Sequence, residues 1–184
     1  NHSDIAGAAR SSEVIDYRGS PVHELIRDLP VRRLADLLRR CSVSLDGKRV
    51  LIVGCGFGTE IFYLNRYMDA NFYCTDISDQ NVLITRKSFP EVEAEVADTE
   101  ALPFADDQFD YAIVCDSLHH MARPYLGLYE MLRVAKEGVC IVEPHDCLLT
   151  RVATRLGLMQ EYEEAGNYVL KLSRHDLVRL VKGL

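Results

Sequence analysis

Four consecutive apolar residues, Val50-Leu51-Ile52-Val53, run directly into Gly54-Cys55-Gly56-Phe57-Gly58. An unbroken apolar run this short fits a strand buried on both faces, and such strands belong to parallel sheets covered by helices. The glycines permit a tight turn and let the backbone approach a ligand closely. A helix opening at Thr59 offers unpaired N–H groups and a positive dipole end to an anion.

The alternation of strand and helix continues along the chain. Thr59 to Met68 reads as a helix and Asn71 to Thr75 as a second strand, ending at Asp76. Ser78 caps a helix running to Ser88, and Val92 to Ala97 is a third strand. Asp98 to Gln108, polar and containing Pro103, is a loop. Phe109 to Cys115 is a fourth strand, Pro124 to Val134 a helix and Val139 to Glu143 a fifth strand. Upstream, Ser20-Pro21 opens a helix that extends to Cys41 and is expected to break before Pro30. Beyond Pro144 the texture is less regular, with Glu161-Tyr162-Glu163-Glu164 and Tyr168. Ser173-Arg174-His175-Asp176 then opens a last helix as a capping box.

This order predicts an α/β fold, Rossmann-like and doubly wound around a mostly parallel sheet. One domain is expected over residues 1–184. It divides into a helical segment (1–47), a ligand-binding core (48–144), a lid or insertion (145–172) and a terminal helix (173–184). Asn167 to Leu172 either contacts a second substrate or packs the lid.

Composition narrows the function. The net charge of −7 argues against a nucleic-acid partner. No apolar run approaches the roughly 18 residues of a membrane span, and no signal peptide opens the chain, so a cytoplasmic location is expected. The six cysteines form no CxxC pair. Cys140, His145 and Cys147 match no common zinc spacing, so the cysteines read as small buried hydrophobes and no metal is expected.

The candidate site residues all fall at strand ends, where open α/β sheets bind ligands. Gly54, Cys55, Gly56, Gly58 and Thr59 form the turn. A dinucleotide fingerprint has its third glycine where this chain has Thr59, so a nucleoside without a pyrophosphate fits better than NAD. Asp76, beside Ile77, can accept from both ribose hydroxyls or cap the next helix. Asp98 can accept from an exocyclic adenine amine while the Thr99 N–H donates to the ring. Asp116 and Ser117 close the fourth strand, and His119 and His120 follow as candidate bases.

From Lys48 to Pro144 these residues resemble the class I S-adenosylmethionine (SAM) dependent methyltransferases, in particular the ubiquinone/menaquinone-type group. Val50 to Gly58 is similar to the family's first motif, Asp76 to its ribose acid, and Ala97 to Phe104 with Phe109-Asp110 to its adenine motif and fourth strand. Ser117-Leu118-His119-His120 is similar to its usual continuation. The resemblance implies SAM as cofactor, S-adenosylhomocysteine as product, and a small-molecule or glycan acceptor. It also implies a seven-stranded sheet with the last strand antiparallel. The chain lacks a segment resembling that final hairpin, so a longer polypeptide or a partner such as a second copy is expected to cover the fifth strand. Two other functions stay open. One is a SAM-binding regulatory module or activating subunit. The other is a nicotinamide oxidoreductase, which Thr59 disfavours.

Overall fold

A computed structural model describes residues 21–143, 148–156 and 173–182. Its element order is α1 (Pro21–Arg40), β1 (Arg49–Val53), α2 (Thr59–Leu64), β2 (Asn71–Asp76), α3 (Asp79–Ser88), β3 (Glu93–Val96), β4 (Phe109–Cys115), α4 (Pro124–Val134), β5 (Ala135–Val142), α5 (Leu148–Arg155) and α6 (Arg174–Lys182). The five strands pair in the order β3-β2-β1-β4-β5, all parallel. The chain therefore winds outward from β1 to β3, then crosses back to place β4 on the other side of β1. That crossing is the switch point of a doubly wound sheet.

Strand alternation sends successive side chains to opposite faces. Val50, Ile52, Cys74 and Ile113 join Val31 and Leu34 of α1, Ile61 and Leu64 of α2 and Val82 of α3 in one core. Leu51, Val53, Ala112 and Val114 join Met131 and Val134 of α4 and Phe104 of the β3–β4 connection in the other. β1 is buried from Val50 to Val53, as its unbroken apolar run requires. No described helix is long and apolar enough to cross a membrane.

Three expectations need correction. α1 does not break at Pro30, which lies inside it. The missing N–H costs one helical bond, but Val31, Leu34 and Ala35 bury on the sheet immediately beyond, and packing decides where a helix persists. β5 begins at Ala135, directly after α4, rather than at Val139. Lys136, Glu137 and Gly138 hide the strand from an apolar reading because it lies at the sheet edge, where Lys48 and Tyr111 both donate to Glu137. Only Ala135 and Cys140 of β5 are buried, so it is not covered on both faces. α2 stops at Leu64 instead of Met68.

The expected loop 98–108 carries a 3-10 turn at Thr99–Ala101, capped by Asp98, whose Oδ1 accepts from Glu100 N at 2.9 Å. Cys55, Cys74, Cys115 and Cys140 are buried, whereas Cys41 is exposed. Burial pushes the Cys140 thiol up to about 11, which keeps it protonated and inert. Ser173 Oγ accepts from Asp176 N at 3.1 Å and opens α6 as its capping sequence predicts. Within the expected lid, Leu148–Arg155 is helical. Ser20, Cys147, the Glu161–Glu164 acids, Tyr162, Tyr168 and Asn167–Leu172 lie outside the described residues.

The β3–β4 connection is held by α4. Arg133 donates to Leu102 O, Phe104 O and Asp106 at 2.7–3.0 Å, and to Glu130, which itself accepts from Leu102 N. Arg133→Met leaves two backbone carbonyls and Glu130 short of a charged donor, and should cost on the order of 1.5–3 kcal/mol in urea unfolding. Amide exchange should rise over Leu102–Asp106 first. Unchanged protection there would show that the connection holds itself.

Candidate functional site at the strand ends

Register brings the candidates together. Val53 pairs with Thr75 and with Val114, Asp76 pairs with Val96, and Cys115 pairs with Val142. The residues after β1, β2, β3, β4 and β5 therefore emerge along one edge: Gly54, Ile77, Ala97-Asp98, Asp116-Ser117 and Glu143.

The glycine turn is shaped by three left-handed residues, Gly54, Gly56 and Gly58 (φ 60°, 52° and 75°). Each does a different job. A Cβ on Gly54 would stand 1.9 Å from Ser117 Oγ, so the end of β4 already fills that space. A Cβ on Gly58 would meet the Phe89 ring at 3.0 Å, so this glycine is packed. A Cβ on Gly56 meets nothing within 4 Å. Gly56 is thus the glycine whose backbone a ligand can approach.

The turn is held from β2 and α3. Asp76 accepts from Gly56 N at 2.8 Å through Oδ2, and from Ser78 N and Asn81 Nδ2 at 2.9 and 3.0 Å through Oδ1. Cys55 N donates to Thr75 O, and Thr85 Oγ1 donates to Gly56 O. A carboxylate offers about four acceptor sites, so Asp76 keeps capacity for one further donor. Asp76 thus ties the glycine turn to the start of α3, whose cap is Ser78, and the capacity left serves one further donor rather than two.

Ile77 is 73% exposed beside Asp76 and gives an apolar surface where a base can rest. Asp98 is exposed across from it. The side chains of Cys55 and Thr99 turn into the core, leaving only their backbone for a ligand. Thr59 is half-buried at the start of α2. An open glycine backbone, a carboxylate with spare acceptor capacity and an apolar shelf fit a nucleoside that carries an amino-acid end.

Beyond β4 the chain turns through Asp116, which is left-handed (φ 47°). Burial, only partly offset by Arg27, raises the Asp116 carboxyl above its ordinary range. The next residues are clamped by Glu143, which the sequence reading treated only as a strand end. Its Oε1 accepts from both Ser117 N and Leu118 N at 2.7 Å, and its Oε2 lies 2.5 Å from His119 Nδ1. His119 and Glu143 are buried together, and the exposed His120 ring lies 4.2 Å from His119. Glu143 carried the same signal as Asp76 and Asp98, a carboxylate closing a strand. A second unanticipated group is Arg27 of α1, which pairs with Asp116 and with Glu60 of α2. Nothing in the pattern of α1 marks it.

Residues 51–142, half of the chain, match a family described as a methyltransferase domain. Demethylmenaquinone methyltransferase of Renibacterium salmoninarum is 30% identical over 125 residues, 65% of this chain and 52% of that protein. A probable phthiotriol/phenolphthiotriol dimycocerosates methyltransferase of Mycobacterium ulcerans is 32% identical over 116 residues, 60% of this chain and 45% of that protein. The chain thus spans about half the length of these relatives. Among solved structures, magnesium protoporphyrin IX methyltransferase of Synechocystis with bound S-adenosylhomocysteine superposes with a TM-score of 0.65 at 19% identity. That match covers 85% of this chain and 71% of the other, and it shows a shared fold.

The glycines separate packing from binding. Gly54→Ala, forced onto Ser117, should lose on the order of 2–4 kcal/mol of stability. Gly56→Ala should lose only about 1 kcal/mol of left-handed strain, yet bind S-adenosylhomocysteine at least about tenfold more weakly in calorimetry. Wild-type affinity in Gly56→Ala would remove the turn from the binding site.

Proposed function

The chain belongs to the class I SAM-dependent methyltransferases, and from that premise we propose that it transfers the SAM methyl group to a hydroxyl of a small-molecule or glycan acceptor. Bound SAM supplies a methyl group already activated on a sulfonium. The protein's task is then to hold donor and acceptor in line and to exclude water. The Gly54–Gly58 turn with Asp116 and Ser117 would take the amino-acid end. Asp76 would take the ribose, and Ile77, Asp98 and the Thr99 N–H the adenine.

The observation that carries the choice of a hydroxyl acceptor is the buried His119–Glu143 pair. An amine or an activated carbon acceptor needs no dedicated base, whereas a hydroxyl gains from one. With His119 Nδ1 bound to the Glu143 carboxylate, the basic lone pair of the imidazole resides on Nε2. The carboxylate fixes the ring orientation and stabilises the imidazolium that forms as the acceptor proton arrives. Glu143 is a positioning residue in this scheme, since it also holds Ser117 and Leu118. His120, exposed against the His119 ring, lines the acceptor side.

Incubation with methyl-labelled SAM and parallel pools of alcohols, phenols, amines and sugars should transfer label to hydroxyl acceptors. Retention of SAM without transfer to any pool would favour a binding or activating subunit. His119→Gln should lower kcat on a hydroxyl acceptor by roughly 10²–10⁴-fold while S-adenosylhomocysteine affinity stays within about twofold. The acid limb of the wild-type pH–rate profile should flatten in the variant. A parallel fall in cofactor affinity and melting temperature, with an unchanged pH profile, would reduce His119 to a clamp of the β4 turn.

A further inference from the structure

Glu100 is a buried carboxylate with no part in the proposed reaction, 8% exposed in the middle of the 3-10 turn Thr99–Ala101. Its side chain reaches the next loop along the strand-end edge. Oε1 accepts from Arg123 N at 2.5 Å and Oε2 from Arg123 Nε at 2.7 Å. Both bonds are short, as charge-assisted bonds are. Arg123 immediately precedes Pro124, the first residue of α4, and its own side chain makes no cap there. Glu100 therefore supplies from another element the negative charge that a helix N-terminus favours.

This placement joins two loops of the site. The turn bearing Glu100 opens at Asp98, whose Oδ1 accepts from Glu100 N at 2.9 Å. Asp98 and the Thr99 N–H are the groups assigned to adenine. Arg123 closes the stretch Ser117–Arg123, which carries His119 and His120. Glu143 holds the first three residues of that stretch, and Glu100 holds the last. His120, Met121 and Ala122 lie between the two carboxylates. A second contact joins the same loops on α4. A Cβ on Gly127 would stand 2.6 Å from Met121 Sδ and 3.4 Å from Thr99 Cγ2, so the stretch and the turn close on one point of the helix.

We propose that Glu100 is a positioning residue that couples the turn receiving adenine to the Ser117–Arg123 stretch, so that a bound cofactor fixes His120–Arg123 on the acceptor side. This rests on the reading of SAM as the methyl donor, with Asp98 and Thr99 at its adenine. Adenine held by Asp98 and the Thr99 N–H restrains the 3-10 turn. A restrained turn presents the Glu100 carboxylate to Arg123 in one geometry. The link consists of two hydrogen bonds to a single residue, so it can be cut without touching a cofactor contact. By linkage, cofactor and acceptor then strengthen one another's binding by the same factor.

Amide exchange with saturating S-adenosylhomocysteine tests the coupling without an acceptor. In the wild-type protein the ligand should slow exchange over residues 98–101, and also over 120–123 by about fivefold or more, although no cofactor contact is assigned to 120–123. Glu100→Gln keeps the shape of the side chain but leaves one acceptor oxygen and no charge. It should hold S-adenosylhomocysteine affinity within about threefold in calorimetry and retain protection over 98–101. Its ligand-dependent slowing over 120–123 should fall below about twofold. Arg123→Gln, at a side chain 69% exposed, removes the Nε bond, keeps the backbone bond and should give an intermediate loss. Slowing over 120–123 that survives Glu100→Gln, or that is absent from the wild type while 98–101 is protected, overturns the proposal. Parallel loss of melting temperature and cofactor affinity in both variants would make Glu100 a structural tie only and counts against it. Failure of the wild-type protein to bind S-adenosylhomocysteine overturns the methyl-donor reading itself, and this inference with it.

Discussion

Gly54 lacks a side chain where Ser117 Oγ already stands, 1.9 Å from the position a Cβ would take. The end of β1 therefore lies directly against the end of β4, at the point where the strand order switches sides. From that junction the turn after β1 is held by Asp76 at the end of β2, and the turn after β4 by Glu143 beyond β5. The site is a consequence of parallel register: strands aligned side by side must release their following residues along one edge.

The parts of the fold that reside in local patterns were legible in the sequence. Val50–Val53 is apolar because both faces are covered, and Asn71–Thr75 and Phe109–Cys115, apolar at most positions, are strands as well. The glycine turn, the Ser78 cap and the Ser173 cap announce themselves through residue chemistry. What was not legible depends on tertiary partners. Pro30 signals a break that packing of Val31 and Leu34 overrides. The first half of β5 is polar because it is an edge, and its charges pair with Lys48 and Tyr111 across the sheet. Among site residues, Asp76, Asp98 and Asp116 stood at recognisable strand ends. Glu143 became visible only with its three partners, and Arg27 only once α1 was laid across α2 and β4.

The strand-end edge is predominantly acidic, with Arg27 lying across it. Glu60, Asp76, Asp98, Asp116 and Glu143 gather at or near the strand ends. Asp76 is satisfied by three donors and Glu143 by two backbone N–H groups and an imidazole. Among the described residues, the ion-pair partner of both Glu60 and Asp116 is Arg27, at 3.4 and 3.2 Å. An acidic edge of this kind suits a ligand bearing a sulfonium and an ammonium, and disfavours one bearing a pyrophosphate, since two phosphates would meet carboxylates where a dinucleotide site offers backbone donors. Thr59, in place of a third fingerprint glycine, points the same way from the sequence.

That choice of ligand is the central claim, and a single comparison tests it. Calorimetric titration of the wild-type protein with S-adenosylhomocysteine and, separately, with NAD should give saturable binding of one S-adenosylhomocysteine per chain and no detectable heat from NAD. Binding of NAD with no response to S-adenosylhomocysteine would contradict the account, because the same strand-end groups would then be holding a pyrophosphate.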